Sequence, residues 1–357
     1  MLLALLLAAG CGTGGETGSA RPSATGSGQA PSFGAPSSAA PSGSAVPSST
    51  PPGTFANPVI DANFADPFVL AIDGTYYAYA TGNLTYNIQV STSTDLVTWT
   101  RIREALPKLP LWQPSSKGLT WAPEVVAMGS RFVMHYTARD VQAGRQCLAA
   151  ATADSPEGPF IDASTAPLAC QVDLGGSIDS TPFRDEDGTH WLVWKSDGNC
   201  CGLHTRFFAQ QLTEDGTGLV GEPVDIGLDN DRPWERNVIE APTLLVHEGT
   251  YYLFYSANDY GSDRYAVGYA TSDRITGPFT DAEENPILTS AGEAAGPGHQ
   301  SIVTDDDGDR WVAYHAWDST RIGDSIGGRR AMWIDPLTFE GGRPVISGPN
   351  DEPQAVP

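Results

Sequence analysis

The chain has 357 residues, with 43 acidic against 20 basic side chains and a formal net charge of −23. That charge repels nucleic acid, anionic lipid and acidic polysaccharide, and leaves neutral or cationic material as the partner class. Its five cysteines form neither a Cys-x-x-Cys pair nor a Cys/His zinc spacing, which argues against a structural zinc site.

Residues 1–11 are an apolar run that ends in Ala9-Gly10-Cys11. Such a run before a polar linker reads as a lipoprotein-type signal, with Cys11 as the lipidated residue. An ordinary secretory signal that happens to contain a cysteine is the alternative. The run is too short for a transmembrane helix, and no Lys or Arg precedes it. An extracellular or cell-surface protein is expected, touching the membrane only through a lipid on Cys11. Residues 12–54 are almost wholly Gly, Ser, Pro, Ala and Thr, and are expected to form a disordered tether. Residues 55–357 suit a single all-β domain and an expected monomer.

Within that domain a turn glycine followed by an aromatic strand recurs five times. The glycines are Gly74, Gly129, Gly188, Gly249 and Gly308, at intervals of 55, 59, 61 and 59 residues. The strands after them include Tyr76-Tyr77-Ala78-Tyr79, Trp191-Leu192-Val193-Trp194 and Tyr251-Tyr252-Leu253-Phe254-Tyr255. A repeat of this length, built of short strands and Gly/Asp turns, predicts a five-bladed β-propeller with one blade per repeat. The acidic runs Asp185–Asp187 and Asp305–Asp307 fall where hairpin turns are expected. They lack the calcium-loop spacing, so they are read as turns.

Eight or nine residues before each glycine stand Asp66, Trp121, Asp179, Glu240 and His299. All precede the strand predicted to be innermost in its blade, so they are expected to surround one axial cavity. Singly, each carboxylate reads as an ordinary turn residue. Three acids in matched phase point instead to a site in which confinement separates an acid from a base. Inverting glycoside cleavage needs that pair, about 6.5–9.5 Å apart.

The motifs Ala65-Asp66-Pro67, Trp121-Ala122-Pro123-Glu124, Ile178-Asp179, Glu240-Ala241-Pro242 and Gly298-His299-Gln300-Ser301 resemble those of glycoside hydrolase family 43, in the same order. The resemblance runs from about Asn57 to Pro349. It implies an inverting hydrolase with Asp66 as general base, Glu240 as general acid, and Asp179 as the carboxylate that orients the acid and keeps it protonated. It also implies Arg330 as a substrate-binding arginine, with Arg329 in its place if the register slips. His299 matches a histidine that in some members lies beside calcium or another ion in the central channel.

Trp121 is expected to be a stacking wall for a sugar face, which Trp112, Trp234 and Trp317 could extend. The expected activity is release of α-L-arabinofuranose from the neutral plant polysaccharides arabinan or arabinoxylan. β-Xylosidase and endo-arabinanase are the alternatives within the family, and a non-catalytic carbohydrate-binding propeller is the alternative outside it. Many β-xylosidases of the family carry a further C-terminal β-sandwich, and this chain ends soon after the fifth repeat. Cys147 and Cys170, on neighbouring strands of the second repeat, form the expected disulfide. Cys200 and Cys201 are either a vicinal disulfide or free thiols.

Overall fold

The computed structural model describes residues 53–357. The signal segment, Cys11 and all but the end of the predicted tether lie outside the described residues. After a short strand β1 (Thr54–Phe55) come five sheets around one axis. Blade 1 is β2 (Phe68–Ile72), β3 (Thr75–Ala80), β4 (Gln89–Ser93) and β5 (Arg103–Glu104). Blade 2 has β6 (Thr120–Met128), β7 (Arg131–Asp140) and β8 (Arg145–Ala153). Blade 3 is β9 (Ser177–Arg184), β10 (His190–Ser196), β11 (Phe207–Leu212) and β12 (Leu219–Asp225). Blade 4 is β13 (Ile239–His247), β14 (Thr250–Ala257), β15 (Ala266–Ser272) and β16 (Thr280–Asp281). Blade 5 is β17 (Ala294–Thr304), β18 (Arg310–Asp318), β19 (Arg330–Glu340) and β20 (Arg343–Ile346).

The five turn glycines all adopt positive φ, between 61° and 89°, as the tight hairpins require. Asp185 and Asp305 close the expected turns, accepting Gly188 N–H at 2.9 Å and Gly308 N–H at 3.1 Å. Among the described residues blade 2 has no regular fourth strand: the outer strand β8 pairs beyond β7 through the isolated bridges Leu148–Ala169, Thr152–Ile161 and Gln146–Gly176. Cys170, next to Ala169, is joined to Cys147 there, and Cys200 is joined to Cys201.

The inner and middle strands bury both faces because each blade is packed between two others, whereas an outer strand such as β12 is largely exposed. In β14, Leu253 and Tyr255 enter the cluster shared with blade 3. Tyr252 and Phe254 enter the one shared with blade 5. Each fully buried side chain of this size contributes about 1.5–3 kcal/mol. The ring is closed by the N-terminal segment. β1 pairs with β21 (Gln354–Ala355), and Val59 and Phe64 donate backbone N–H groups to Met332 and Arg330 of blade 5.

One further feature repeats and positions the site. Each inner strand carries a residue in the left-handed region although none is glycine: Asp66, Ala122, Asp179, Ala241 and His299, with φ of 44–56°. Such a residue costs of order 1–3 kcal/mol and persists only where its surroundings hold it. Here the hold is an N–H bond to the preceding blade. Ala122 donates to Thr81 Oγ1 (2.9 Å), Asp179 to Thr137 Oγ1 (3.1 Å), His299 to Ser256 Oγ (2.7 Å) and Asp66 to His315 Nδ1 (3.1 Å). Sheet registers break at these bulges, for example between Glu240 and Thr243.

Candidate active site

The bulges aim side chains at the axis, in two phases rather than the single phase expected from sequence. Asp66, Asp179 and His299 occupy the left-handed position itself, while Trp121 and Glu240 stand one residue earlier, before Ala122 and Ala241. The three carboxylates and His299 nevertheless converge. Asp179 lies within electrostatic range of Asp66, Glu240 and His299, and its Oδ2 accepts the N–H of Ala241, the residue after Glu240, at 3.2 Å.

Asp66 is gripped on every side. Its Oδ1 takes Arg330 Nη1 at 3.0 Å and lies 3.4 Å from His299 Nδ1, and its Oδ2 accepts the Thr81 hydroxyl. His315 Nδ1 stands 3.2 Å from Oδ1. That nitrogen already receives the Asp66 N–H, and burial pushes the ring down to about 4, so the contact is not an ion pair. Burial alone would raise Asp66. Arg330, the foremost, and His299 outweigh it and hold the carboxyl well below the usual range. Asp66 is therefore ionised at neutral pH.

Glu240 is held at both oxygens. Tyr265 OH donates to Oε1 at 2.7 Å and the fully buried Lys195 ammonium lies 2.8 Å from Oε2. Burial favours the neutral acid here too, yet Lys195 and Tyr265 bring Glu240 below its usual value. Burial pushes Asp179 up to about 6, opposed by His299 and Lys195 and reinforced by Glu240 and Asp66. The resemblance implied that Asp179 keeps Glu240 protonated. Here Lys195 and Tyr265 favour ionised Glu240 while burial favours neutral Asp179, and the two carboxyls titrate together.

A stack of rings separates the two halves. His299 and His315 stand 6.2 Å apart between centroids, and His315 and Tyr265 5.8 Å apart and nearly parallel at 6°. Tyr265 fits only because the position before His299 is Gly298, where a Cβ would stand 2.2 Å from its ring. The stack thus fixes the spacing between Asp66, beside His315, and Glu240, bonded to Tyr265.

Arg330 rather than Arg329 enters the site. Its guanidinium lies 4.9 Å from the Tyr260 ring and 5.7 Å from that of Trp317, while Arg329 pairs with Asp61 at 2.9 Å on the surface. Trp121 is half-buried, its indole N–H donating to Gly118 O at 3.0 Å. Two of the tryptophans considered as an extended sugar wall are core: Trp112 bonds Ser164, and the fully buried Trp317 bonds Tyr260 O. Trp234 packs on Tyr255 at 5.6 Å. Beside Glu240 a cavity of about 320 Å³ is lined by Asn199, Asn258 and Tyr260 among others.

His299 offers a poor cage for an ion. Its carboxylate neighbour Asp66 is already taken by Arg330, and among the described residues no group of three or more His, Cys, Asp or Glu forms a metal-holding cluster. Calcium takes six to eight oxygen ligands, which this set does not supply. Sequence reasoning missed Lys195, Tyr265, His315 and the role of Glu124. Glu124 lies at the axis, accepts the Thr181 hydroxyl at 2.7 Å, and is pushed up to about 8 by burial. It sits in the quoted Trp-Ala-Pro-Glu motif, the one signal that could have drawn notice.

Carboxylates converging at the axis of a five-bladed propeller, one gripped by an arginine and one by a lysine, supply the acid and base groups that glycoside hydrolysis uses. The chain belongs to the glycosyl hydrolases family 43, whose model matches residues 55–344. It is 28% identical over 300 residues to β-D-galactofuranosidase xynD of Aspergillus niger, covering 79% of this chain and 82% of that protein. With the probable arabinan endo-1,5-α-L-arabinosidase A of Aspergillus flavus it shares 25% over 304 residues, covering 80% and 91%. Among solved structures, a thermostable family-43 glycoside hydrolase matches with a TM-score of 0.74 and 32% identity, over 85% of this chain and 99% of that one.

Proposed function

We propose that the protein is an inverting glycosidase that releases α-L-arabinofuranose from arabinan or arabinoxylan side chains. The observation that carries the catalytic reading is the convergence of Asp66, gripped by Arg330, and Glu240, held by Lys195 and Tyr265, on either side of the ring stack. Asp66, kept ionised by Arg330, acts as general base: it takes a proton from a water that attacks the anomeric carbon. Glu240 gives a proton to the departing glycosidic oxygen on the opposite face, and the bond to that oxygen breaks with inversion. Asp179, by accepting the Ala241 N–H, orients Glu240. Arg330, with its buried Nε free of a partner among the described residues, binds the sugar, and Trp121 offers it a ring face. Relatives named for β-xylosidase and for endo-acting arabinan hydrolysis keep those two activities as the second reading.

The test is turnover of aryl α-L-arabinofuranoside, aryl β-xyloside and linear arabinan, with products sized and the anomer read by NMR. Arabinose released with inversion is the expected result. No turnover on any of them would return the protein to a carbohydrate-binding role. Glu240→Gln should lower kcat by about 10²–10⁴ on substrates with poor leaving groups. Location outside the cell, tethered through Cys11, is part of the same proposal. Cys11→Ala should release the protein from the membrane fraction.

A further inference from the structure

The fivefold register isolates one residue. Opposite the position that precedes each bulge, the second strand of four blades carries Thr81, Thr137, Ser256 or His315. Each accepts the N–H of the next blade's bulge residue. In blade 3 that position, opposite Ile178, is Lys195, which has no lone pair to offer. The Ala241 N–H is left to find another acceptor and takes Asp179 Oδ2 at 3.2 Å. The lysine, with a fully buried side chain, turns its ammonium to Glu240 Oε2 at 2.8 Å and Asn199 Oδ1 at 3.0 Å. A buried ammonium is costly, and a hydroxyl would have met the structural need as it does in blades 1, 2 and 4.

We propose that Lys195 is a positioning residue of the acid half of the site, departing from the blade pattern so as to lock the Glu240 carboxyl and set the alkaline limit of activity. The inference rests on Glu240 being the general acid. The ammonium stabilises ionised Glu240, so protonated Glu240 is lost at a lower pH than it would be without Lys195. The other charged and titratable groups facing this cluster are Asp179, Asp197, Tyr265, His299 and Asp66.

The test is the pH profile of kcat/KM on a substrate with a poor leaving group, for wild type, Lys195→Thr, Lys195→Arg, Asn199→Asp and Glu240→Gln. Lys195→Thr restores the pattern of blades 1 and 2 and removes the cation. Its alkaline limb should move up by about one pH unit or more, with kcat reduced and KM little changed. Asn199→Asp, on an exposed turn, draws the ammonium away from Glu240 and should move the limb the same way by less, even if Lys195→Thr does not fold. Lys195→Arg should keep the limb near its wild-type position. An unmoved limb in both Lys195→Thr and Asn199→Asp, while Glu240→Gln abolishes it, overturns the role of Lys195 alone. A limb that survives in Glu240→Gln overturns the acid assignment and this inference with it.

Discussion

Replacing Arg330 with methionine removes a guanidinium 3.0 Å from Asp66 Oδ1 and leaves the carboxylate in its buried setting. Burial by itself pushes Asp66 up, and Arg330 is the foremost of the groups that hold it down, ahead of His299. An opposite charge at this range moves a carboxylate by about 1–3 pKa units, or roughly 1.4–4 kcal/mol. As general base, Asp66 works only when ionised, so the acid limb of kcat/KM should rise by about 1–3 pH units. Stability follows the same sign. The depressed pKa of Asp66 stabilises the fold above the unfolded-state value, and that contribution is lost as pH falls through the folded one. In Arg330→Met the benefit shrinks, and the unpaired buried charge costs about 3–5 kcal/mol at neutral pH. The assays are initial rates on an aryl glycoside from pH 4 to 9 and thermal melts at the same values. Arg329→Met, which breaks only the surface pair with Asp61, serves as control. An acid limb that stays put in Arg330→Met, or moves equally in Arg329→Met, would refute the assignment of Asp66 as the base poised by Arg330.

Glu124 gives the opposite pH signature. Burial lifts it from the ordinary 4.5 to about 8, so the folded state binds its proton more tightly and stability declines as pH rises between those values. Glu124→Gln should remove that decline, exceeding wild type by a few kcal/mol above pH 8 at about 1.36 kcal/mol per unit, and matching it below the lower value. Parallel melting curves across that range would contradict this. The Cys147–Cys170 bond closes a loop with a sequence separation of 23 residues. Replacing both cysteines with alanine should lower the urea-unfolding free energy by about 3 kcal/mol. Dialysis against EDTA should leave kcat/KM unchanged, since among the described residues no group of three or more His, Cys, Asp or Glu around His299 could hold a cation; a loss restored by added calcium would show otherwise.

Much of the architecture was legible because propeller strands advertise themselves. Gly74, Gly129, Gly188, Gly249 and Gly308 are needed at positive φ, and the aromatic runs after them must fill two inter-blade interfaces at once. Asp66, Trp121, Asp179, Glu240 and His299 could be picked out on the same ground, eight or nine residues before a turn glycine, whereas Arg330 came only from the family resemblance. The segment around Cys170 was expected to be the fourth strand of blade 2, and among the described residues it pairs with β8 only through the isolated bridge Leu148–Ala169, after a Pro- and Gly-containing stretch that makes one bridge at Ile161. Trp112 and Trp317 looked like surface aromatics and are core, since whether a loop indole points inward depends on which blade covers it.

The repeat and its turns thus follow from local rules: glycine where φ must be positive, apolar residues where two neighbours must be met. The bulges obey no such rule. Ala122 and Ala241 take left-handed backbone that alanine does not favour, because a hydroxyl or carboxylate from a neighbouring blade holds each N–H. That cross-blade hold puts Glu240 one step out of phase with Asp66 and Asp179. It also turns Lys195 from a strand residue into the partner of the acid. The carboxylates can be named from the order of residues along the chain. Which of them carries the proton depends on charges brought within 3 Å only when the ring closes.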